Sequence, residues 1–166
     1  MNVNIALLTV TDTRTLETDK SGAILVEKIK KANHNLIDRK ICKDSKNEII
    51  KILKHWIEKK EIDIVITTGG TGLTGRDITP EALDEIADKH IPGFGEVFRT
   101  ISLKTVGTSS IQSRACAVLA NGKYIFALPG SSGGVTDAWD EILIHQLDIN
   151  HKPCNFVELF PRLKEK

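Results

Sequence analysis

Residues 67–83 read TTGGTGLTGRDITPEAL. Gly69, Gly70, Gly72 and Gly75 crowd between an apolar run and a helix start, and such loops let backbone N–H groups turn toward a phosphate. Gly70, Gly72 and Gly75 spell G-x-G-x-x-G, but the context of a dinucleotide site is missing. That fingerprint follows the first strand of its unit, and its acidic ribose partner ends the next strand about 20 residues on. Here residues 79–104 read as helices, and Arg76-Asp77 separates the third glycine from the helix start. Gly75-Arg76-Asp77 is not the G-K-[ST] end of a P-loop either. Two readings stay open: a phosphate cradle, and a strand-to-helix turn with no ligand.

A second loop, Leu128-Pro129-Gly130-Ser131-Ser132-Gly133-Gly134, leaves the last strand and opens a long helix. It offers glycines, hydroxyls and a helix N-terminus; alone it reads equally as a proline-glycine turn with a serine cap. Two such loops at the C-terminal ends of parallel strands are expected to face one cleft. Asp77 follows the first loop and Asp44 ends the second strand. Thr79 reads as the helix N-cap, which leaves Asp77 free. A carboxylate beside a phosphate loop is repulsive unless a cation lies between, and Mg²⁺ takes one or two carboxylates plus phosphate oxygens and water. Asp12 and Asp19 follow the first strand and read either as further cleft carboxylates or as polar loop residues.

The elements that must position these residues follow from hydrophobic period. VNIALLTV at 3–10, IDRKIC at 37–42 and IDIVITT at 62–68 read as strands. Helices open at Ser21-Gly22, after the capping box Ser45–Glu48, and at Thr79-Pro80. Phe94, Val97, Phe98 and Ile101 form another helical stripe. Strand–helix alternation implies a parallel sheet covered on both faces. RACAVLA and KYIFALP then flank Asn121-Gly122, a hairpin signal. The expected fold is therefore α/β, three-layer αβα, with a mostly parallel sheet and one antiparallel strand. Val135, Ala138, Trp139, Ile142, Leu143 and Leu147 mark a final long helix. The tail NHKPCNFVELFPRL shows no clear period, and its apolar residues are expected to pack on a neighbouring subunit.

The chain of 166 residues suits one domain, 1–166, with 40% hydrophobic and 27% charged residues. Net charge is +1, so nothing advertises nucleic acid or a membrane surface. The N-terminus has no basic region or cleavage site and reads as a strand. Three scattered cysteines, with no C-x-x-C, are expected to be reduced thiols in a cytoplasmic protein. The five histidines lie at no ligand spacing to one another or to a cysteine, so zinc is not expected.

Taken together, TTGGTGLTGRDITPEAL, PGFGEVFRTIS, SSIQSRA and LPGSSGGVTDAW resemble the MoaB/MogA family of molybdenum cofactor biosynthesis. The opening LLTVTDTR with the later DKSG is similar to the family's first motif, and the resemblance covers nearly the whole chain. GFGEVFR, GTSSIQSRA and HKPCNF resemble the MoaB branch more than the MogA branch.

The resemblance implies a homo-trimer, or a hexamer of trimers, that adenylylates molybdopterin. In that nucleotidyltransferase reaction the terminal phosphate of molybdopterin attacks the α-phosphate of ATP, Mg²⁺ assists, and pyrophosphate leaves. By motif, the catalytic and metal-holding aspartates fall on Asp44 and Asp77. Gly69, Gly70, Thr71, Gly72, Ser102, Ser113 and Arg114 fall on the molybdopterin pocket, and Pro129, Gly130 and Ser131 on the nucleotide side. The competing implication is a molybdopterin-binding or assembly protein that transfers no AMP, and a third is another nucleotide-dependent enzyme on the same scaffold.

Overall fold

A computed structural model of the chain describes residues 1–165. Seven residues, Asn4–Val10, form β1, and all but the first are buried, as a strand covered on both faces requires. The chain continues through α1 (Lys20–Lys31), β2 (Asn35–Cys42), α2 (Lys46–Glu58) and β3 (Ile64–Thr68). It then runs through α3 (Thr79–Ile86), β4 (Lys89–His90), α4 (Pro92–Val106), β5 (Cys116–Ala120) and β6 (Lys123–Leu128).

The six strands make one sheet in the order β2-β1-β3-β6-β5-β4. β2, β1, β3 and β6 are mutually parallel, and β5 runs against both β6 and β4. β5 is thus the one antiparallel strand. Its hairpin to β6 turns at Asn121 (φ 49°) and Gly122 (φ 72°), the two positive values that a two-residue hairpin needs.

Two cores sandwich the sheet. Leu25, Ile29, Phe94, Phe98, Val135 and Trp139 pack on one face. Ile49, Leu53, Trp56, Ala82 and Leu83 pack on the other. β1 and β3 pair in parallel, but α1, which follows β1, packs on one face and α3, which follows β3, on the other. That strand pair is the switch point of the topology, where open α/β sheets leave a crevice.

Several local expectations are corrected. The stretch 79–104 is not all helix, because Lys89 and His90 pair with Leu119 and Val118 as a short edge strand. Thr79 is the first residue of α3, and its hydroxyl donates to the Gly69 carbonyl (2.9 Å) instead of capping the helix. Ser45 accepts from the Glu48 amide (3.4 Å), but the Glu48 carboxylate returns to the Lys43 amide, so the capping box is only half formed. The last helix runs as α5 (Ser132–Ala138), a π-helical turn over Trp139–Leu143, and α6 (Ile144–Gln146). The tail folds back on its own sheet. Phe156 meets Tyr124 (4.7 Å between ring centroids) and Phe126 (5.5 Å) ahead of a 3-10 turn, Val157–Arg162.

Asp19 caps α1 from inside the protein. Its carboxylate accepts from Gly22 N (2.9 Å), Thr9 Oγ1 (2.6 Å), Ser21 Oγ (3.2 Å) and Arg39 Nη2 (3.0 Å). Burial pushes its carboxyl up, but the Thr9 and Gly22 bonds and Arg39 outweigh that and hold it below the ordinary value. The resulting stability is present above the unfolded pKa of about 3.9 and is lost as pH falls through the lower folded value. Asp19→Ala should cost roughly 3 kcal/mol at pH 7, read as a urea midpoint, with the deficit shrinking in acid.

Candidate active site

The parallel register aligns the C-terminal strand ends. Thr9 pairs with Thr68, Thr68 with Leu128, and Val10 with Cys42. The segments that follow these ends, around Asp12, Asp44, Gly69–Asp77 and Pro129–Ser131, are therefore delivered to one edge of the sheet. A cleft of about 560 Å³ opens there, lined by Arg14, Asp44, Thr71, Asp77, Ser113 and Gly130 among others.

The two glycine loops are tied together. Thr68 Oγ1 donates to the Pro129 carbonyl (2.7 Å), and Gly69 N donates to the Leu128 carbonyl (3.0 Å). Gly69 (φ 102°) and Gly70 (φ 68°) hold left-handed backbone. A Cβ on Gly70 would strike Thr79 Oγ1. Gly70→Ala therefore combines a clash with backbone strain of roughly 1–3 kcal/mol. It should lower the thermal midpoint by several degrees and weaken whatever ligand the cleft holds.

Asp77 Oδ2 accepts from Thr74 N (2.9 Å) and Thr74 Oγ1 (2.7 Å), which closes the loop on itself. Burial pushes the Asp77 carboxyl up, but these bonds, the Gly72 amide and Arg114 hold it below the ordinary value. Asp44 differs. Burial first, then the negative charges of Asp12 and Asp77, push its carboxyl up; Arg76 opposes this only in part. Asp12 braces Asp44 by accepting from its amide (3.0 Å) and pairs with Arg76 Nη1 (3.1 Å). Mutually repelling carboxylates at the mouth of a glycine loop fit a cation whose remaining ligands are phosphate oxygens and water. Among the described residues, no group of three His, Cys, Asp or Glu side chains is arranged to hold a metal by itself.

Of the residues singled out from sequence, Asp44, Asp77, Gly69, Gly70, Thr71, Gly72, Ser113, Pro129, Gly130 and Ser131 line this cleft together. Two do not. Ser102 lies in a neighbouring cavity of about 430 Å³ with Thr105, Ser110 and Asp137, which meets the cleft at Ser113, Pro129 and Ser131. Arg114 stands behind the loop. Its Nε donates to the Gly72 carbonyl (2.7 Å), Nη2 donates to the Asp77 carbonyl (2.9 Å), and Nη1 pairs with Glu81. It braces the loop, and it lines a separate cavity with Arg99 and Cys116. Asp19 is taken up inside the protein. Arg14 was missed: it ends the LLTVTDTR stretch, but a loop arginine carries no period that foretells its direction.

Burial pushes the Cys42 thiol up to about 12 and the Cys116 thiol up to about 11, so neither is a thiolate nucleophile at neutral pH. All three cysteines are free. Among the described residues, no helix is long and apolar enough to cross a membrane.

Comparison with known proteins agrees with this architecture. Residues 6–149 match the family described as a probable molybdopterin binding domain. The chain is 44% identical over 161 residues to molybdenum cofactor biosynthesis protein B of Escherichia coli K12, covering 97% of this chain and 93% of that one. It is 43% identical over 146 residues to the protein of the same name from Bacillus cereus, covering 87% and 86%. A crystal structure of a molybdenum cofactor biosynthesis protein B superposes with a TM-score of 0.89 at 38% identity, covering 100% of this chain and 98% of that one. The tungsten cofactor synthesizing protein MoaB from Pyrococcus furiosus gives 0.77 at 35% identity, covering 86% and 91%.

Proposed function

The chain belongs to the molybdopterin-binding domain family, as a molybdenum cofactor biosynthesis protein of the MoaB kind, and from that premise we propose that it adenylylates molybdopterin. The observation that carries this reading is the shared cleft. Two tied glycine loops and the carboxylates of Asp44 and Asp77 open on it at the β1/β3 switch point.

In the proposed reaction, an oxygen of the molybdopterin phosphate bonds to the α-phosphorus of ATP. The bond from that phosphorus to the bridging oxygen breaks, and pyrophosphate leaves with its electron pair. The attacking phosphate is already an anion, so no residue need act as a general base. The protein's part is positioning and electrostatics. The Gly69–Gly72 backbone with Thr71 and Ser113 would seat the pterin phosphate; Pro129, Gly130 and Ser131 would seat the nucleotide. Asp44 and Asp77 would hold Mg²⁺, which when bound offsets phosphate charge and polarises the α-phosphate.

Ser102 stands one cavity away and would reach the pterin only if the ring extends past Ser113. Arg114 would act through the Gly72 and Asp77 carbonyls. Residues 1–166 would work as one unit, in a cytoplasmic homo-trimer or hexamer. The exposed Leu103, Val106 and Ile111 support such assembly.

The test is pyrophosphate release from ATP and Mg²⁺, with and without molybdopterin. Release that requires molybdopterin is expected. Tight molybdopterin binding with no release would make the chain a holding protein instead.

A further inference from the structure

We propose that Arg14 is the side chain that grips the polyphosphate of the nucleotide. The assignment of the ligand rests on the adenylyl-transfer reading above. Three arginines approach the two loops. Arg114 is held by carbonyls and Glu81 behind the first loop. Arg76, like Arg14, lines the cleft and is exposed, but its Nη1 is paired with Asp12 and it makes no contact with the second loop. Arg14 alone both lines the cleft and touches the second loop.

Arg14 is also held ready. Its Nη1 donates to Ser21 Oγ (3.2 Å) and to the Gly130 carbonyl (3.2 Å). Ser21 is fully buried, and its hydroxyl passes the connection to the buried Asp19 (3.2 Å), which Thr9, Gly22 and Arg39 fix in turn. A chain of buried polar groups thus anchors one nitrogen of the guanidinium. Nε and Nη2 donate to no protein atom among the described residues. These two N–H groups share one edge of the planar group, the fork that matches two phosphate oxygens. An anchored fork loses little freedom on binding. Its contact with Gly130 places it on the loop that carries the nucleotide in this reading, at the polyphosphate and not at the pterin phosphate.

The test uses binding without molybdopterin, so it does not depend on turnover. Titration calorimetry is run with ATP, AMP, tripolyphosphate and inorganic phosphate on wild type, Arg14→Ala and Arg14→Lys. Arg14→Ala should weaken ATP and tripolyphosphate by roughly 10- to 100-fold and leave AMP within about twofold. Arg14→Lys, which keeps the charge without the fork, should fall between. Equal losses for AMP and tripolyphosphate would reduce Arg14 to a brace between loops and overturn the proposal. So would unchanged tripolyphosphate affinity, or a loss confined to inorganic phosphate. Should wild type release no pyrophosphate while tripolyphosphate binding still depends on Arg14, the transfer reading falls and the grip stands.

Discussion

Asp77→Asn is expected to lower molybdopterin-dependent pyrophosphate release by roughly 10²- to 10³-fold, the loss that follows removal of one preorganised electrostatic group. Asparagine keeps the shape and can still accept from Thr74. It lacks the negative charge that would hold a cation between the loop and two phosphates. Asp77 also stabilises the fold. Its carboxyl sits below the ordinary value despite burial, through Thr74, Gly72 and Arg114. That contribution is present above about pH 3.9 and disappears as pH falls through the folded value. The variant should therefore be slightly less stable at pH 7, with a thermal midpoint lower by roughly 2–4 °C for a loss near 1 kcal/mol. Near-wild-type release from a folded Asp77→Asn protein would contradict the assignment.

Asp44→Asn should cost a similar factor in release, roughly 10²-fold, with the opposite effect on stability. Burial and the charges of Asp12 and Asp77 hold the Asp44 carboxyl above the ordinary value. The folded chain therefore binds that proton more tightly than the unfolded chain, and stability declines as pH rises through the window between the two values. Removing the charge relieves the repulsion. The variant should melt no lower than wild type at pH 7 without ligand, and Mg²⁺ with ATP should raise its midpoint less than that of wild type. Calorimetric melting across pH 4–8 reads both effects. An Asp44→Asn protein that loses both activity and ligand-free stability would point to a structural role.

The contrast between the two aspartates was not legible in the sequence. Both follow strand ends, and period alone places them at one sheet edge. What separates them is partner geometry: Thr74 folds under Asp77, whereas Asp44 has two carboxylates for neighbours. The strands themselves were legible, because VNIALLTV and IDIVITT are apolar runs that end in turn residues, and Asn121-Gly122 specifies its own hairpin. β4 was not. Two exposed residues carry no period, and their strand character comes from pairing with Leu119 and Val118. The tail failed for a related reason. Phe156 and Phe160 read as residues for a neighbouring subunit to cover, until Tyr124 and Phe126 of the same chain supply the wall they pack on. Thr79 misled differently: its type and its place before Pro80 fit a cap, but Gly69 turns its carbonyl toward the hydroxyl.

The most direct test of the central claim follows the AMP group itself. Purified chain is incubated with molybdopterin, Mg²⁺ and ATP labelled at the α-phosphate, and the products are separated and weighed by mass spectrometry. The expected result is label in adenylylated molybdopterin, equimolar with released pyrophosphate. Label confined to ATP or free AMP, with molybdopterin recovered unmodified from the protein, would contradict it.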